Sequence, residues 1–562
     1  MSDAATVPPP ASGRPPGTGV STATRPPAPP GGQHERFIAK AAAITAVLTA
    51  AGALFGLVRD QLIAHLFGAN GATDAFLVAW TVPEIASTLL IEDAMALVMI
   101  PAFSLALSRR AAPAPAGLDA GPDPVGRLVA STAPRLFLAL ACSAVLLAAL
   151  APHLVQLLAP GLANPGLAVD CTRLTAVTVL TFGIAGYFSA ALRAHRMFMP
   201  PAAIYVAYNL GIVTTMLTLH TLWGVRAAAA GVAAGGILMV LVQLPAFLRH
   251  LPSRPGRRRH SALSRTENRL LRAGPALPAG LAILAPVVLF ALTRQAQVLV
   301  ERYIASSLPA GAISHLNYAQ KVAQVPMVLS LMVCTVTFPL VARAMADGEA
   351  DRARRRVERD LALAGLVVLL GAAYVIAYAP QLIQLLFQRG AFDAHDTAAT
   401  ASVMRVYAFG LLGHSLTSAL IRAFFSAARP TWDPAAAMGV GLLITIAGAQ
   451  AAVPHWGVHG IAAANAAGIT TTALLLLRGL GRQGIAINVR WVAADLGRLA
   501  VAAGAAVTAG WAAAPMAPNA LAAAATGALI VPAVFLTAAF AVRAPEAPLL
   551  ISAVKRKFRH AR

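Results

Sequence analysis

The stretch of sequence that decides the fold is residues 54–101, LFGLVRDQLIAHLFGANGATDAFLVAWTVPEIASTLLIEDAMALVMIP. It is mostly apolar, and its pattern predicts two helices joined by a short turn at residues 68–73. Six charged side chains lie inside it: Arg59, Asp60, Asp74, Glu84, Glu92 and Asp93. Because a charge at the bilayer centre costs from ~2.5 to more than 10 kcal/mol, it normally faces a partner or a wet cavity. The stretch therefore predicts the lining of a hydrated cavity in a many-helix membrane protein.

The composition of the whole chain agrees with this prediction. Of its 562 residues 58% are hydrophobic and 12% are charged, about half the ~25% that is usual in soluble proteins. Apolar runs of about 20 residues, each long enough to cross the bilayer, recur from residue 37 to residue 542. We count fourteen of them, which predicts an all-α polytopic membrane protein with about 14 transmembrane helices.

The charge of the chain indicates its orientation. The formal net charge is +22, and most of the 44 Lys and Arg residues fall in alternate loops. This is the pattern of cytoplasmic loops, and it predicts that both termini are cytoplasmic. Because orientation accounts for the basic residues, we expect no nucleic-acid partner.

A faint internal repeat predicts two halves. The string RDQLIAHLFGANGAT at residues 59–73 resembles ERYIASSLPAGAIS at residues 301–314, and a long helix with two prolines follows each. Parallel repeats with a substrate site between them are a known transporter design. We therefore expect two six-helix lobes related by a pseudo-two-fold axis, in this order: a disordered Pro-rich cytoplasmic tail (1–35), an N-terminal lobe (36–250), a basic cytoplasmic linker (251–274), a C-terminal lobe (275–480), two further helices (481–543) and a basic cytoplasmic tail (544–562).

Three cations are candidates for a substrate-binding surface. Arg59 lies in the first predicted helix, Arg294 in the seventh and Lys321 in the eighth. A guanidinium suits a phosphate group because it donates two parallel hydrogen bonds and stays charged. Asp60 is expected to balance charge in the cavity, but not to form an ideal pair with Arg59, since adjacent helical residues point about 100° apart.

The acidic residues have two interpretations each. Asp74 either caps its own helix or balances a cavity arginine. Glu92 and Asp93 either bind a cation or proton in the cavity or form structural pairs. Glu301 and its neighbour Arg302 are further candidates for charge balance or coupling, and Glu301 shares a helix face with Arg294, seven residues earlier.

Two prolines are candidate hinges. Pro83 and Pro326 lie inside the long second and eighth predicted helices. Proline removes a backbone hydrogen bond and kinks a helix, which can widen a cavity beside it.

Several function classes are unlikely from the motifs. The three cysteines are far apart, with no CxxC or His-rich tract beside them, so we expect neither a disulfide framework nor a metal site. No Ser/His/Asp or Cys/His arrangement, Walker loop or GxGxxG is present, so an enzyme is not expected. We expect no cofactor, and transport driven by the membrane potential or an ion gradient.

Several strings resemble the MurJ (MviN) lipid II flippases of the multidrug/oligosaccharidyl-lipid/polysaccharide exporter superfamily. They are FGLVRDQLIAHLFGANGATDAFLVAWTVP, IEDAMALVMIPAFS, ISHLNYAQKVAQVPMVLSLMVCTVTFPLVARA and LLFQRGAFDAHDTAATASVMRVYAFGLLGHSLTSALIRAFFSAARPTWDP. The resemblance covers roughly residues 36–480. It implies two lobes around a cationic cavity, two extra helices that form a lipid-tail groove, and alternating access. The implied substrate is an undecaprenyl-diphosphate-linked disaccharide-peptide, moved from the inner to the outer leaflet of the bacterial cytoplasmic membrane.

The resemblance also implies roles for single residues. Arg59 and Asp74 match charged residues that the family depends on. Lys321 stands where the family usually has Arg, and Gln320 where it often has Asp.

The sequence departs from the family pattern at several cavity positions. Ala53, Ser87 and Thr88 stand where the family commonly has arginines. The eleventh predicted helix, AAAMGVGLLITIAGAQ, lacks the Asn and Asp of the members that bind sodium. These departures leave room for a flippase for another prenyl-linked polysaccharide unit. A drug or cation antiporter of the same superfamily is disfavoured, because aromatic residues make up only 6% of the chain and bases are prominent. The Pro-rich tail and the basic C-terminus leave a non-transporting cell-wall scaffold as a further alternative. Beyond a lipid-linked glycan and membrane lipids, cell-wall synthesis proteins are the expected partners.

Overall fold

The structure is a computed structural model that describes residues 31–111, 123–250, 277–330, 349–425, 431–483 and 487–545. The predicted linker 251–274, most of the Pro-rich tail and nearly all of the basic C-terminal tail lie outside these residues. Within them every regular element is a helix and no strand occurs. The predicted all-α class is confirmed.

The N-terminal lobe consists of nine helical segments in the described residues. The second and third predicted helices are each divided, the second around a π-helical turn at Ser87–Asp93. The segments are α1 (Gly31–Phe67), α2 (Gly71–Ala79), α3 (Thr81–Ala86), α4 (Ala94–Ala111), α5 (Pro124–Ala149), α6 (Ala151–Leu158), α7 (Pro165–Ala194), α8 (Met199–Trp223) and α9 (Arg226–His250).

The C-terminal lobe and the last two helices follow the same plan. Their segments are α10 (Leu277–Ala305), α11 (Ala312–Ala323), α12 (Ala350–Ala377), α13 (Ala379–Phe387), α14 (Ala394–Ala408), α15 (Leu411–Phe425), α16 (Asp433–Trp456), α17 (Val458–Gly479), α18 (Val489–Ala513) and α19 (Ala520–Ala541). Each of the fourteen predicted helices corresponds to helical residues here. Eleven helices of the described residues are long and apolar enough to cross a membrane. The chain is a multi-pass membrane protein.

A short helix and a turn that occur at equivalent places in both lobes show that the C-terminal lobe repeats the N-terminal lobe. The short helix α6 has the sequence APHLVQLL and its counterpart α13 has APQLIQLLF. The turns that join α8 to α9 and α16 to α17 are both Trp-Gly-Val. Their central residues, Gly224 and Gly457, have φ of 54° and 50°, in the left-handed region that favours glycine.

Both candidate hinge prolines lie where a helix is interrupted. Pro83 follows the break at Trp80, and Pro326 follows the break at Gln324. Pro83 has no N–H to bond the Ala79 carbonyl one turn earlier. The Thr175 hydroxyl donates to that carbonyl instead, at 3.2 Å. The break is therefore built into the fold, while motion at these prolines stays a prediction.

The last two helices pack on the C-terminal lobe through small residues. A Cβ at Gly527 of α19 would lie 2.5 Å from the Tyr378 ring, and a Cβ at Gly510 of α18 2.7 Å from Ala377. Tyr374 also donates to the Ala524 carbonyl at 2.9 Å. These contacts attach α18 and α19 to α12 and to Tyr378, which follows it.

Candidate functional site

A cavity of about 260 Å³ lies against the C-terminal lobe, between α10, α11, α15, α16 and α17. The N-terminal lobe contributes Glu84 from α3. Four of the lining residues are charged: Glu84, Arg294, Glu301 and Lys321. Most of the other polar residues that line the cavity are amides and hydroxyls.

One carboxylate joins cations from both lobes beside this cavity. Asp60 Oδ2 accepts from Lys321 Nζ at 2.8 Å, and Asp60 Oδ1 accepts from Arg59 Nη2 at 2.8 Å and Nε at 3.0 Å. The expectation that Arg59 and Asp60 do not form an ideal pair is wrong, since two nitrogens of one guanidinium donate to the same carboxylate. The long arginine side chain bends back to reach its neighbour, so the 100° between the two Cβ directions does not separate their charged groups. We call Arg59, Asp60 and Lys321 the charged cluster.

Within the charged cluster, Lys321 faces the cavity and Arg59 lies behind it. The Arg59 side chain is 11% exposed and that of Lys321 is 35% exposed. Arg59 also donates to Asn209 Oδ1 at 3.0 Å, and its guanidinium carbon lies 4.6 Å from the centre of the Trp80 ring. Among the described residues, Arg59 is not part of the cavity lining. It holds Asp60 in place, and Asp60 holds Lys321.

Arg294 is the second cation that lines the cavity. It is exposed, and it makes no ion pair within the described part of the chain. Both cavity-facing cations therefore come from the C-terminal lobe, although the sequence had suggested a lining from both halves.

A second ion pair crosses the lobe interface. Arg302, which is 5% exposed, donates from Nη2 to Glu84 Oε2 at 2.7 Å and from Nη1 to the Thr81 hydroxyl. A neutral contact lies nearby, where Gln295 Nε2 donates to Thr88 Oγ at 3.2 Å. Arg302 thus pairs with a carboxylate of the other lobe, while a role in coupling stays a prediction.

Glu301 lines the cavity on the same helix face as Arg294, as predicted. Its carboxylate is buried, and it accepts from the Tyr407 hydroxyl at 2.6 Å and from the Asn465 amide. Both partners belong to the C-terminal lobe. A coupling role for Glu301 stays a prediction.

Asp74 caps a helix, but not its own. Its Oδ2 accepts from the Gly311 N–H at 2.7 Å, and its Oδ1 accepts from the Ser314 N–H at 2.8 Å and the Ser314 hydroxyl at 2.6 Å. Asp74 thus caps α11 in the other lobe, while Asn70 caps α2. Asp74 lies in the first turn of α2 as expected, but its hydrogen-bond partners belong to the other lobe, up to 240 residues away in the chain.

Other backbone contacts surround this cap. The Ala391 N–H donates to the His65 carbonyl at 2.8 Å, and the Ala69 N–H donates to Asp396 Oδ2 at 3.3 Å. A Cβ at Gly311, which has a φ of +96°, would lie 2.6 Å from the Ala69 carbonyl oxygen. We call this region, residues 65–74 with residues 311–314 and 389–396, the closed end.

The remaining acidic candidates lie elsewhere. Glu92 is exposed and accepts from the Tyr205 hydroxyl at 3.1 Å, within the N-terminal lobe. The side chain of Asp93 lies outside the described residues. Within the described ranges, no three His, Cys, Asp or Glu side chains come together as a metal site would require.

Sequence reasoning missed the neutral partners of the charges. Asn209, Tyr407 and Asn465 each orient a cavity or cluster residue. The available signal was a polar side chain in an apolar helix, such as the Asn within MPPAAIYVAYNLGIV of α8. That signal marks a buried polar residue but does not say which charge it meets.

Two repeated helical lobes around a charged cavity define the class, a multi-pass membrane transporter fold. Residues 63–524 match the sequence model of the family described as "Lipid II flippase MurJ", and the chain belongs to that family. A relative from Burkholderia cenocepacia, "Lipid II flippase MurJ", is 28% identical over 437 residues, 76% of this chain and 81% of the relative. A "Probable lipid II flippase MurJ" from Rhizobium meliloti is 27% identical over 445 residues, 77% of this chain and 78% of the relative.

Solved structures agree on the fold. "Lipid II flippase MurJ, inward closed conformation" superposes with a TM-score of 0.71 at 18% identity, covering 88% of this chain and 97% of that one. An inward-facing multidrug resistance MATE family transporter of the MOP superfamily gives a TM-score of 0.58 at 13% identity, covering 77% and 94%. The family expected from the sequence is confirmed.

Proposed function

We propose that this chain moves lipid II from the inner to the outer leaflet of the bacterial cytoplasmic membrane by alternating access. Both termini would lie in the cytoplasm, as the loop charges indicate. The proposal describes transport, with no bond made or broken. Family membership supports the substrate, since the family model and the relatives carry lipid II flippase in their names.

The observation that carries the proposal is the charged cluster beside the cavity. Lys321 is held by one carboxylate and is still 35% exposed, and Arg294 has no acidic partner in the described residues. A diphosphate offers oxygens that can take up such cations through charge-assisted hydrogen bonds. When a diphosphate binds Lys321, Asp60 keeps Arg59 as its partner and is not left unpaired.

The lobe interface supports alternating access. The described contacts across it include hydrogen bonds and ion pairs, which can be exchanged for contacts with water or substrate. With both termini inside, the closed end faces the outer leaflet, and the head group would enter from the cytoplasm. Reorientation would be driven by the membrane potential or an ion gradient, without a resident cofactor. Cell-wall synthesis proteins would then use the product at the outer face.

Complementation tests this function. Cells depleted of their own lipid II flippase receive the wild-type chain, Lys321→Ala or Lys321→Arg, at equal membrane levels. We expect rescue by wild type and by Lys321→Arg, which keeps the cation, and none by Lys321→Ala.

Two outcomes would contradict the proposal. Wild type that inserts correctly but fails to rescue would rule out lipid II and favour another prenyl-linked glycan. Full rescue by Lys321→Ala would show that flipping does not need the Lys321 cation, and the charged cluster would then no longer support the proposal.

A further inference from the structure

One wall of the cavity consists of neutral polar side chains that make no side-chain hydrogen bond within the described part of the chain. Asn317 and Gln320 of α11, and Gln324 directly after its end, are spaced so that they lie on one face beside Lys321. All three line the cavity. None makes a side-chain hydrogen bond with the described residues, and the Asn317 amide oxygen is buried without a partner. The described residues therefore leave the hydrogen-bonding capacity of this wall unused.

Thr417 of α15 is another lining residue of the same cavity. The residue is 4% exposed, and its Oγ has no hydrogen-bond partner among the residues that the structure describes. Two other buried threonines in this lobe donate to the carbonyl one turn earlier, Thr445 to Gly441 and Thr472 to Gly468, both at 3.0 Å. An unpaired buried polar group destabilises a fold, so in native structures it calls for an explanation. A ligand that supplies the missing partner is such an explanation.

The chemistry of this wall matches sugar hydroxyls and N-acetyl groups. Amide and hydroxyl side chains both donate and accept, as sugar substituents do. The wall is uncharged, so it does not complement the carboxylates of a peptide. Gln320 and Gln324 flank Lys321 within one helical turn, and the group attached to a bound diphosphate is the first sugar.

We propose that Asn317, Gln320, Gln324 and Thr417 form the subsite for the sugar joined to the diphosphate. The inference rests on the proposed function, because Lys321 must hold the diphosphate. The cavity volume of about 260 Å³ lies below the ~300–1,000 Å³ typical of pockets for drug-sized ligands. It therefore accommodates a part of the head group, with the remainder outside the cavity.

Binding to three ligands tests the subsite. Purified full-length protein in nanodiscs is titrated with undecaprenyl diphosphate, with the same lipid carrying its sugars but no peptide, and with lipid II. Thr417→Val removes the hydroxyl and keeps the branched shape. We expect its affinity to fall roughly 3- to 10-fold for both sugar-bearing lipids and to stay unchanged for the sugar-free lipid, since one neutral hydrogen bond is lost.

Two controls separate binding from folding. Thr445→Val removes a buried hydroxyl that is not part of the described cavity lining, and it should leave all three affinities unchanged. Thr417→Val should have a melting temperature equal to or above that of wild type, because an unpaired hydroxyl is removed. A lower melting temperature with all three affinities reduced would indicate a structural role and overturn the subsite.

The remaining outcomes are also decisive. If Thr417→Val loses affinity for lipid II but not for the lipid that carries only sugars, the wall contacts the peptide, and the sugar subsite is overturned. Wild type that binds all three ligands equally would overturn the subsite but leave transport of a lipid diphosphate intact. Wild type that binds none of them would overturn the proposed function, and the subsite with it.

Discussion

The two lobes meet in two regions that are built differently. At the closed end, carboxylates accept from backbone N–H groups, as Asp74 does from Gly311 and Ser314, and glycine allows the chains to approach. Beside the cavity, side chains of opposite charge meet, as Lys321 does with Asp60 and Arg302 with Glu84.

This difference in construction suits the two regions to different tasks: the closed end seals the cavity, and the charged cluster binds substrate. A backbone N–H has a fixed position and is buried at the closed end, so an incoming anion cannot reach it without first parting the lobes. A lysine that is one-third exposed can exchange a carboxylate for a phosphate in place. We infer that the closed end sets the conformational state, and that the charged cluster responds to substrate.

The largest effect is expected for Asp74→Ala, which breaks the closed end. It leaves two backbone N–H groups and one hydroxyl unpaired at a buried site. Truncating one partner of a buried, hydrogen-bonded charge costs about 2–5 kcal/mol, or roughly a 30- to 5,000-fold shift from closed to open. Spin labels at Gly166 and His395, exposed positions of different lobes, measure the distance between the lobes in a chain without native cysteines.

Asp170→Ala is the matched control for that prediction. Asp170 also pairs through its carboxylate, with Arg226 at 2.7 Å, but both side chains are more than 40% exposed and belong to one lobe. Such a pair contributes about 0–1 kcal/mol. An equal change in the distance distribution for both variants would show that the cap on α11 has no special role.

The sequence predicted the number, order and class of the helices because apolar length and loop charge are local signals. It also placed Arg294 and Glu301 on one helix face and Lys321 at the cavity, since helical spacing is local too. The internal repeat indicated which ends of the lobes correspond.

Partnerships across the lobes could not be predicted from the sequence. Asp74 caps a helix 240 residues away, and nothing in its neighbours differs from an ordinary cap. The pairing of Glu84 with Arg302, 218 residues apart, likewise depends on how the lobes dock. Local spacing was even misleading for Arg59 and Asp60, where side-chain length decides the contact.

Gly311→Ala tests the closed end without removing a charge, because it adds only one carbon there. A non-glycine residue at this φ carries about 1–3 kcal/mol of backbone strain, and its Cβ would overlap the Ala69 carbonyl oxygen. The same spin labels should show a larger open fraction. Gly166→Ala in an unlabelled background is the control, since its Cβ meets nothing within 4 Å. If Gly311→Ala flips lipid II as fast as Gly166→Ala does, the close approach of residue 311 to Ala69 is not needed to seal the closed end.

A smaller effect is expected from the second ion pair. Arg302→Met removes a charged hydrogen bond to Glu84, whose side chain is 37% exposed, so solvent screening reduces the cost to about 1–2 kcal/mol of lobe closure. Glu84→Gln and the double variant complete a mutant cycle on the spin-label distances. Additive effects would show that the two charges do not interact, and the pair would then contribute nothing to holding the lobes closed.

The smallest effect is expected where the lobes share only a neutral contact. Thr88→Val removes the acceptor of Gln295, a hydrogen bond of 3.2 Å without formal charge, which contributes about 0.5–1.5 kcal/mol. The inter-lobe distance distribution should move only slightly, and by less than for Arg302→Met. A shift as large as that of Asp74→Ala would mean that the neutral contact near the cavity, and not the buried cap at the closed end, determines which state the lobes adopt.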